Sequence, residues 1–193
     1  SRTYTILPDG TTTPNLTPGT LATTVTAAAA NEVSVASINL RRFFDATDDP
    51  AAEPVLTLLA YVTRLTKASR AIRTHLLNPD IIGVQEVENL ATLQALAAEI
   101  ISDGGPAYDA YLVDGNDAEG LDVGFLVKTD LVTGGVPRVS VASVTQINAG
   151  ELLVNPDSST SLLNDRPPLV LEATVNRTTT ASFPIVVVVT DFR

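Results

Sequence analysis

The chain contains no cysteine, which excludes disulfides, thiolate metal sites and cysteine nucleophiles. Disulfide-free proteins occur inside and outside cells, so this absence does not fix a compartment. Methionine is also missing, and the chain opens on Ser1, which points to processing or excision from something longer. Histidine occurs once, at His75. A Ser-His-Asp triad or a histidine metal site would have to use it, yet it lies in "RAIRTHLL", where a helix-surface residue is the ordinary reading. Positive charge is scarce, with 12 Lys and Arg against 22 Asp and Glu, a net charge of −10. Such a surface repels nucleic acid at long range, so handling phosphate requires a local positive device: an arginine cluster or a bound cation. No apolar run approaches the ~20 residues of a membrane helix. The run Ile185 to Val189 suits a strand, and no basic segment leads into an apolar one as in a signal peptide. Carboxylates, amides and arginines are the chemical vocabulary that remains.

The 193 residues are 45% hydrophobic and 18% charged, enough for one domain with a real core. Residues 1–30 differ from the rest, with ten Thr, three Pro and a closing "TAAAA". They read as a linker or extended arm, which Tyr4, Ile6 and Leu7 are suited to anchor. Residues 31–193 read as one domain. "VSVASINL" has small or apolar residues on both faces and reads as a buried strand; "RRFFDATDDP" then leaves the sheet. From Pro54 to Leu77 the period is helical, with Leu58, Val62, Leu65, Ile72 and Leu76 on one stripe. Arg64, Lys67, Arg70 and Arg73 lie off that stripe, as a solvated face or a phosphate patch. Asn78-Pro79 ends the helix. "DIIGVQ" reads as a second buried strand and Val87 to Ile101 as a second amphipathic helix. "YDAYLVD" and "LDVGFLVK" read as strands joined by "GNDAEG". After Asp130 come short strand candidates alone, the last being "FPIVVVVT", whose apolar run reads as a central strand. The expected fold is α/β, a mixed β-sheet with flanking helices.

In such sheets ligands gather beyond the carboxyl ends of strands. Those ends deliver Asn39, then Gln85 and Glu86, then Thr190 and Asp191, while Asp165 and Arg166 enter a strand behind two prolines. A carboxylate and an amide are hard oxygen ligands suited to Mg²⁺, Mn²⁺ or Ca²⁺. An arginine beside them would grip phosphate bidentately. Spacing alone favours Glu86 as a helix-start carboxylate stabilised by the helix dipole over Glu86 as a ligand.

Four motifs in order, "VASINLRRFFD", "NPDIIGVQEVENL", "LDVGFLVK" and "DRPPLV", carry a resemblance over residues 33–193. The chain resembles the endonuclease/exonuclease/phosphatase family, the deoxyribonuclease-I-like superfamily, and most of all its bacterial secreted members. The resemblance implies a four-layer α/β sandwich and divalent-cation-dependent hydrolysis of phosphate esters, nucleic acid among them, by a secreted or extracytoplasmic protein. It implies Glu86 and Asn39 as metal ligands, Arg166 beside the substrate phosphate and Asp122 as a supporting residue. Two departures accompany it. "VVVVTDFR" puts Asp191 where the family has a phosphate-binding histidine, and an ionised aspartate repels phosphate. The family's later Gly-Asp-x-Asn and Ser-Asp-His motifs do not appear. The resemblance therefore implies the metal-binding half of a phosphoesterase whose C-terminal part lies outside this sequence, with an exposed apolar face. The alternative is a catalytically impaired relative serving as a binding or structural module.

Overall fold

A computed structural model describes residues 23–29, 31–48, 54–132, 134–177 and 181–191. In chain order its elements are β1 (Val35–Phe43), α1 (Leu58–Thr74), β2 (Ile81–Val87), α2 (Leu90–Ser102), β3 (Tyr108–Leu112), β4 (Asp122–Lys128), β5 (Leu131–Val132), β6 (Val136–Pro137), β7 (Val139–Gln146), β8 (Leu152–Val154), β9 (Thr160–Leu162), β10 (Leu169–Val175) and β11 (Phe183–Val189). Both helices begin on a side chain that satisfies an orphan N–H: Thr57 accepts from Ala60 N, and Asn89 from Thr92 N at 2.8 Å. α1 stops where Leu77 and Asn78 turn left-handed ahead of Pro79. Carbonyls at its last turn are taken up by the arm, as Val25 N donates to His75 O at 3.0 Å and Thr24 Oγ1 to Thr74 O at 3.3 Å. The rest of the expected arm, residues 1–22 with Tyr4, Ile6 and Leu7, lies outside the described residues.

Among the described residues the fold is mixed α/β with several sheets and two helices, and strands predominate. The main sheet has order β1-β2-β4-β3, with β1 and β2 parallel and the other neighbours antiparallel. Its one face carries Ile82, Val84 and Leu126 against Leu65 and Ile72 of α1 and Leu93, Leu96 and Ile100 of α2. The opposite face carries Ile81, Val123, Phe125 and Val127 against an antiparallel sheet of order β11-β10-β7. Gly83 permits close approach there, since a side chain at 83 would meet Val189 Cγ2 at 3.3 Å. Helices, four-stranded sheet and three-stranded sheet thus stack as three layers. β2 and β4 are buried on both faces, which is why they read as continuous apolar runs.

Sequence expectations are corrected at three elements. β1 is not buried: it is the edge of its sheet, and its residues alternate between exposed and half-buried. Small residues on both faces mark a strand covered lightly, and they do not distinguish an edge from a centre. β1 also continues through Arg41 and Arg42 to Phe43 instead of leaving the sheet at them. β11 likewise is an edge strand, not a central one, with Val186 and Val188 exposed. The α1 stripe is buried only in its second half, for Leu65 and Ile72 are covered while Leu58 and Val62 stand in solvent. Exposed apolar side chains are also found on the β8–β9 hairpin, at Leu152, Val154 and Leu162.

Because Asn89, the N-cap of α2, stands three residues after Glu86, that cap sets the corner on which the glutamate stands. Asn89→Ala removes the acceptor for Thr92 N and is expected to lower stability by about 1 kcal/mol. Urea denaturation of the variant beside the wild type measures it.

Candidate functional site

β1 and β2 pair in register from Val35↔Ile81 to Asn39↔Gln85, slip, and resume at Phe43↔Val87. β4 slips against β2 at the same place, between Gln85 and Val87. Glu86 is therefore bulged out of both ladders, facing the three residues Leu40, Arg41 and Arg42. Glu86, Arg41 and Arg42 all have left-handed backbones, with φ of 58°, 57° and 56°. For residues with a Cβ this conformation costs about 1–2 kcal/mol each. Such strain persists only where surroundings over-determine it, and it gathers at functional sites.

The surroundings here are explicit. Arg41 N donates to Asn39 Oδ1 at 2.7 Å, closing an Asx turn. Arg42 N donates to Glu86 Oε2 at 2.8 Å, and Asn39 Nδ2 to Glu86 Oε1 at 3.0 Å. From α1, Arg64 Nη1 donates to the Arg41 carbonyl at 3.2 Å and also to the Arg42 carbonyl. Asn39 therefore orients Glu86 while its own oxygen is held by the bulge. The hydrogen bond from Asn39 holds the Glu86 carboxyl below the ordinary glutamate range; desolvation opposes, and Arg42 N–H and the charges of Arg166 and Arg42 assist. Glu86 is thus ionised at neutral pH, and it remains partly open to solvent.

Arg166 reaches the same place from the approach to β10. Its side chain is 3% exposed. Nε donates to Asp117 Oδ2 at 2.6 Å, Nη1 pairs with Asp191 Oδ2, and Nη1 lies 3.9 Å from Glu86 Oε1. The structure thus brings Asn39, Glu86, Arg166 and Asp191 together, and Asp191 engages arginine instead of standing free. Gln85 turns away, with Nε2 donating to Ser37 Oγ. His75 caps the C-terminal end of α1, exposed.

Sequence reading missed the loop of residues 113–121. In the sequence it reads as a connector, yet its Asp117 holds Arg166 and its Glu119 is ion-paired with Arg42 across the site. Asn116 ties it down, with N donating to Asp165 O and Nδ2 to Ala149 O and Asn164 O. Gly115 N donates to Asp122 Oδ1 at 2.7 Å, and a side chain at 115 would stand 2.6 Å from that oxygen and 2.9 Å from Pro167 Cδ. The one signal in "GNDAEG" is its density of Asn, Asp and Gly, since functional residues often sit on loops held by a rigid scaffold.

Burial pushes the Asp122 carboxyl up to about 7; the Gly115 N–H opposes, Asp114 and Asp117 add, and Arg166 opposes. Between about pH 4, where an unfolded aspartate titrates, and about pH 7 the folded chain holds a proton that the unfolded chain has released. The stability that Asp122 contributes therefore falls as pH rises through that window and is flat above it. Asp122→Asn keeps the acceptor for Gly115 and removes the titration. Its stability relative to wild type is expected to improve by more than about 1 kcal/mol between pH 5 and pH 8. A pH-independent difference in urea midpoints would show that Asp122 is not raised.

Among the described residues no group of three or more His, Cys, Asp and Glu side chains is gathered to hold a metal ion, and no helix is long and apolar enough to cross a membrane. Compared with known proteins, the chain matches no family model and no curated protein.

Proposed function

We propose that the corner built from Asn39, Glu86, Arg166 and Asp191 is the site of a divalent-metal-dependent phosphodiesterase. The observation that carries the reading is Glu86 itself: an ionised carboxylate held at a strained, non-glycine bulge by Asn39 and Arg42, with a buried arginine beside it. The donor set is oxygen and amide, which suits Mg²⁺, Mn²⁺ or Ca²⁺. Mg²⁺ takes one or two carboxylates and keeps several waters, so one glutamate supplies enough protein charge. Asn39 presents Nδ2 to Glu86 and Oδ1 to Arg41 N–H, so it serves as a second ligand only with its amide turned over. The cation would polarise the phosphate and stabilise the leaving oxygen. Arg166 would hold a phosphate oxygen; since it is buried, that contact requires Asp191, the more open of its two aspartates, to move aside. The same reading carries a four-layer sandwich of the deoxyribonuclease-I-like type, of which the three stacked layers would be part, and an extracytoplasmic location. The test is hydrolysis, by the full-length protein, of plasmid DNA and of bis(p-nitrophenyl) phosphate with Mg²⁺, Mn²⁺ or a chelator. Turnover that requires the metal is expected; none under any of these conditions sinks the reading.

A second reading is favoured by one observation, the occupation of Arg166 by Asp117 and Asp191. A module that keeps this network for stability would bind a partner without hydrolysis, and Glu86→Gln would then change neither metal affinity nor activity.

A further inference from the structure

Half of the chain's basic residues lie in one short segment. Of 12 Lys and Arg, Arg41, Arg42, Arg64, Lys67, Arg70 and Arg73 fall between residues 41 and 73. Arg42 is ion-paired with Glu119, and Arg73 with Asp103 at 2.9 Å. Arg64 is spent on the carbonyls of the bulge. Arg41, Lys67 and Arg70 form no ion pair among the described residues, and all three side chains are exposed. On a chain of net charge −10, acids to pair with are abundant, so three unpaired cations close together are out of keeping with the surface.

Arg41 and Lys67 line a groove of about 390 Å³ between α1 and β1, whose lining also includes Asn39 and Arg64 and no carboxylate. β1 pairs only with β2 among the described residues, so its other edge is left open along this groove. Lys67 and Arg70, three residues apart on α1, project on the same side and extend the positive strip by a further turn. Asn39 belongs to the groove and to the candidate site alike, so the two are continuous.

We propose that the groove between α1 and the open edge of β1 binds backbone phosphates of a nucleic-acid strand, leading that strand to the corner at Glu86. The proposal rests on the phosphodiesterase reading of that corner and names the substrate class it would take. Charge complementarity is what selects this occupant. Adjacent cations matched to phosphates at successive nucleotides release counterions on binding, and the affinity then falls linearly with salt on logarithmic axes. The groove overcomes locally the repulsion that the acidic body sets up at long range.

The test uses a fluorescein-labelled single-stranded oligonucleotide of about 12 nucleotides, the whole chain and a chelator, with binding read by anisotropy. Wild-type affinity is expected to fall with NaCl between about 50 and 200 mM. K67Q/R70Q lies at exposed helical positions and is expected to weaken binding about tenfold and to reduce the salt slope by about 1.4, roughly 0.7 for each lost contact. T145E/V186E places the same change in net charge on the exposed face of the β11-β10-β7 sheet, and is expected to leave the slope unaltered. No binding by wild type, no effect of K67Q/R70Q, or equal loss in both variants overturns the groove. Turnover of bis(p-nitrophenyl) phosphate by the full-length wild-type protein is measured separately; its absence removes the phosphodiesterase reading, while binding, read without metal, still judges the groove.

Discussion

Glu86→Gln is expected to lower Mg²⁺-dependent turnover by at least about 10²-fold, the usual cost of removing a charged group that acts on the reacting centre. It should also weaken Mg²⁺ binding, read by calorimetry, by more than about tenfold. The substitution changes almost no volume, so its effects are electrostatic. The glutamate accepts from Asn39 Nδ2 on one oxygen and from Arg42 N on the other. A glutamine has one acceptor, so either Asn39 or Arg42 N then faces an amide nitrogen, a loss of about 1–3 kcal/mol if the donor is left unsatisfied. Stability alone does not separate a metal ligand from a structural acid, and a second variant does. Glu86→Gly removes the carboxylate and also relieves the left-handed strain, which returns about 1–2 kcal/mol. A functional Glu86 predicts that Glu86→Gly is inactive and close to wild type in urea midpoint. A variant that is inactive and strongly destabilised would make Glu86 a structural residue.

Asp117→Ala is expected to destabilise the chain by about 3–5 kcal/mol, the cost of leaving one partner of a buried ion pair alone. Arg166 and Asp117 are both almost wholly buried, at 3% and 2% side-chain exposure. Water cannot replace the lost carboxylate there, and Asp191, at 13%, covers only one end of the guanidinium. Asp117→Leu/Arg166→Met replaces both charges by apolar groups of similar bulk and should recover much of the loss, since a buried pair offers little over well-packed hydrophobes. With the single variants Asp117→Leu and Arg166→Met measured as well, urea denaturation gives the coupling between the residues. A cost under about 1 kcal/mol for Asp117→Ala would place the pair in solvent. Because Nε is the atom Asp117 holds, the aspartate fixes the plane of the guanidinium. Asp117→Ala should therefore raise KM for a phosphodiester substrate as well as lower stability, and a purely stabilising role would leave KM unchanged.

Much of the fold was legible because its determinants are local. The helical period of α1 and α2 and the apolar runs of β2 and β4 can each be read within about a dozen residues, while the caps Thr57 and Asn89 lie inside stretches that the period alone assigns to the helices. The same holds for Glu86 as a residue at a strand-to-helix corner, and for Arg166 as a side chain delivered behind a stiff Pro-Pro approach. What could not be read is which strands are edges. β1 and β11 carry the same small and apolar residues as a central strand, and only the partners that the topology assigns them decide how far they are covered. The direction of Asp191 belongs to the same class, because its partner Arg166 lies 25 positions away.

The residue types of the site, a carboxylate, an amide and arginines with no cysteine and one distant histidine, were determined by the sequence alone. The tertiary structure decided how they meet. Asn39 and Glu86 are 47 positions apart, and Asp117 and Arg166 are 49. No local signal marks Glu86, Arg41 and Arg42 as left-handed, since none is glycine or asparagine. Their backbone is imposed by three residues of one strand passing a single residue of the next, a mismatch that exists only once the two strands are paired.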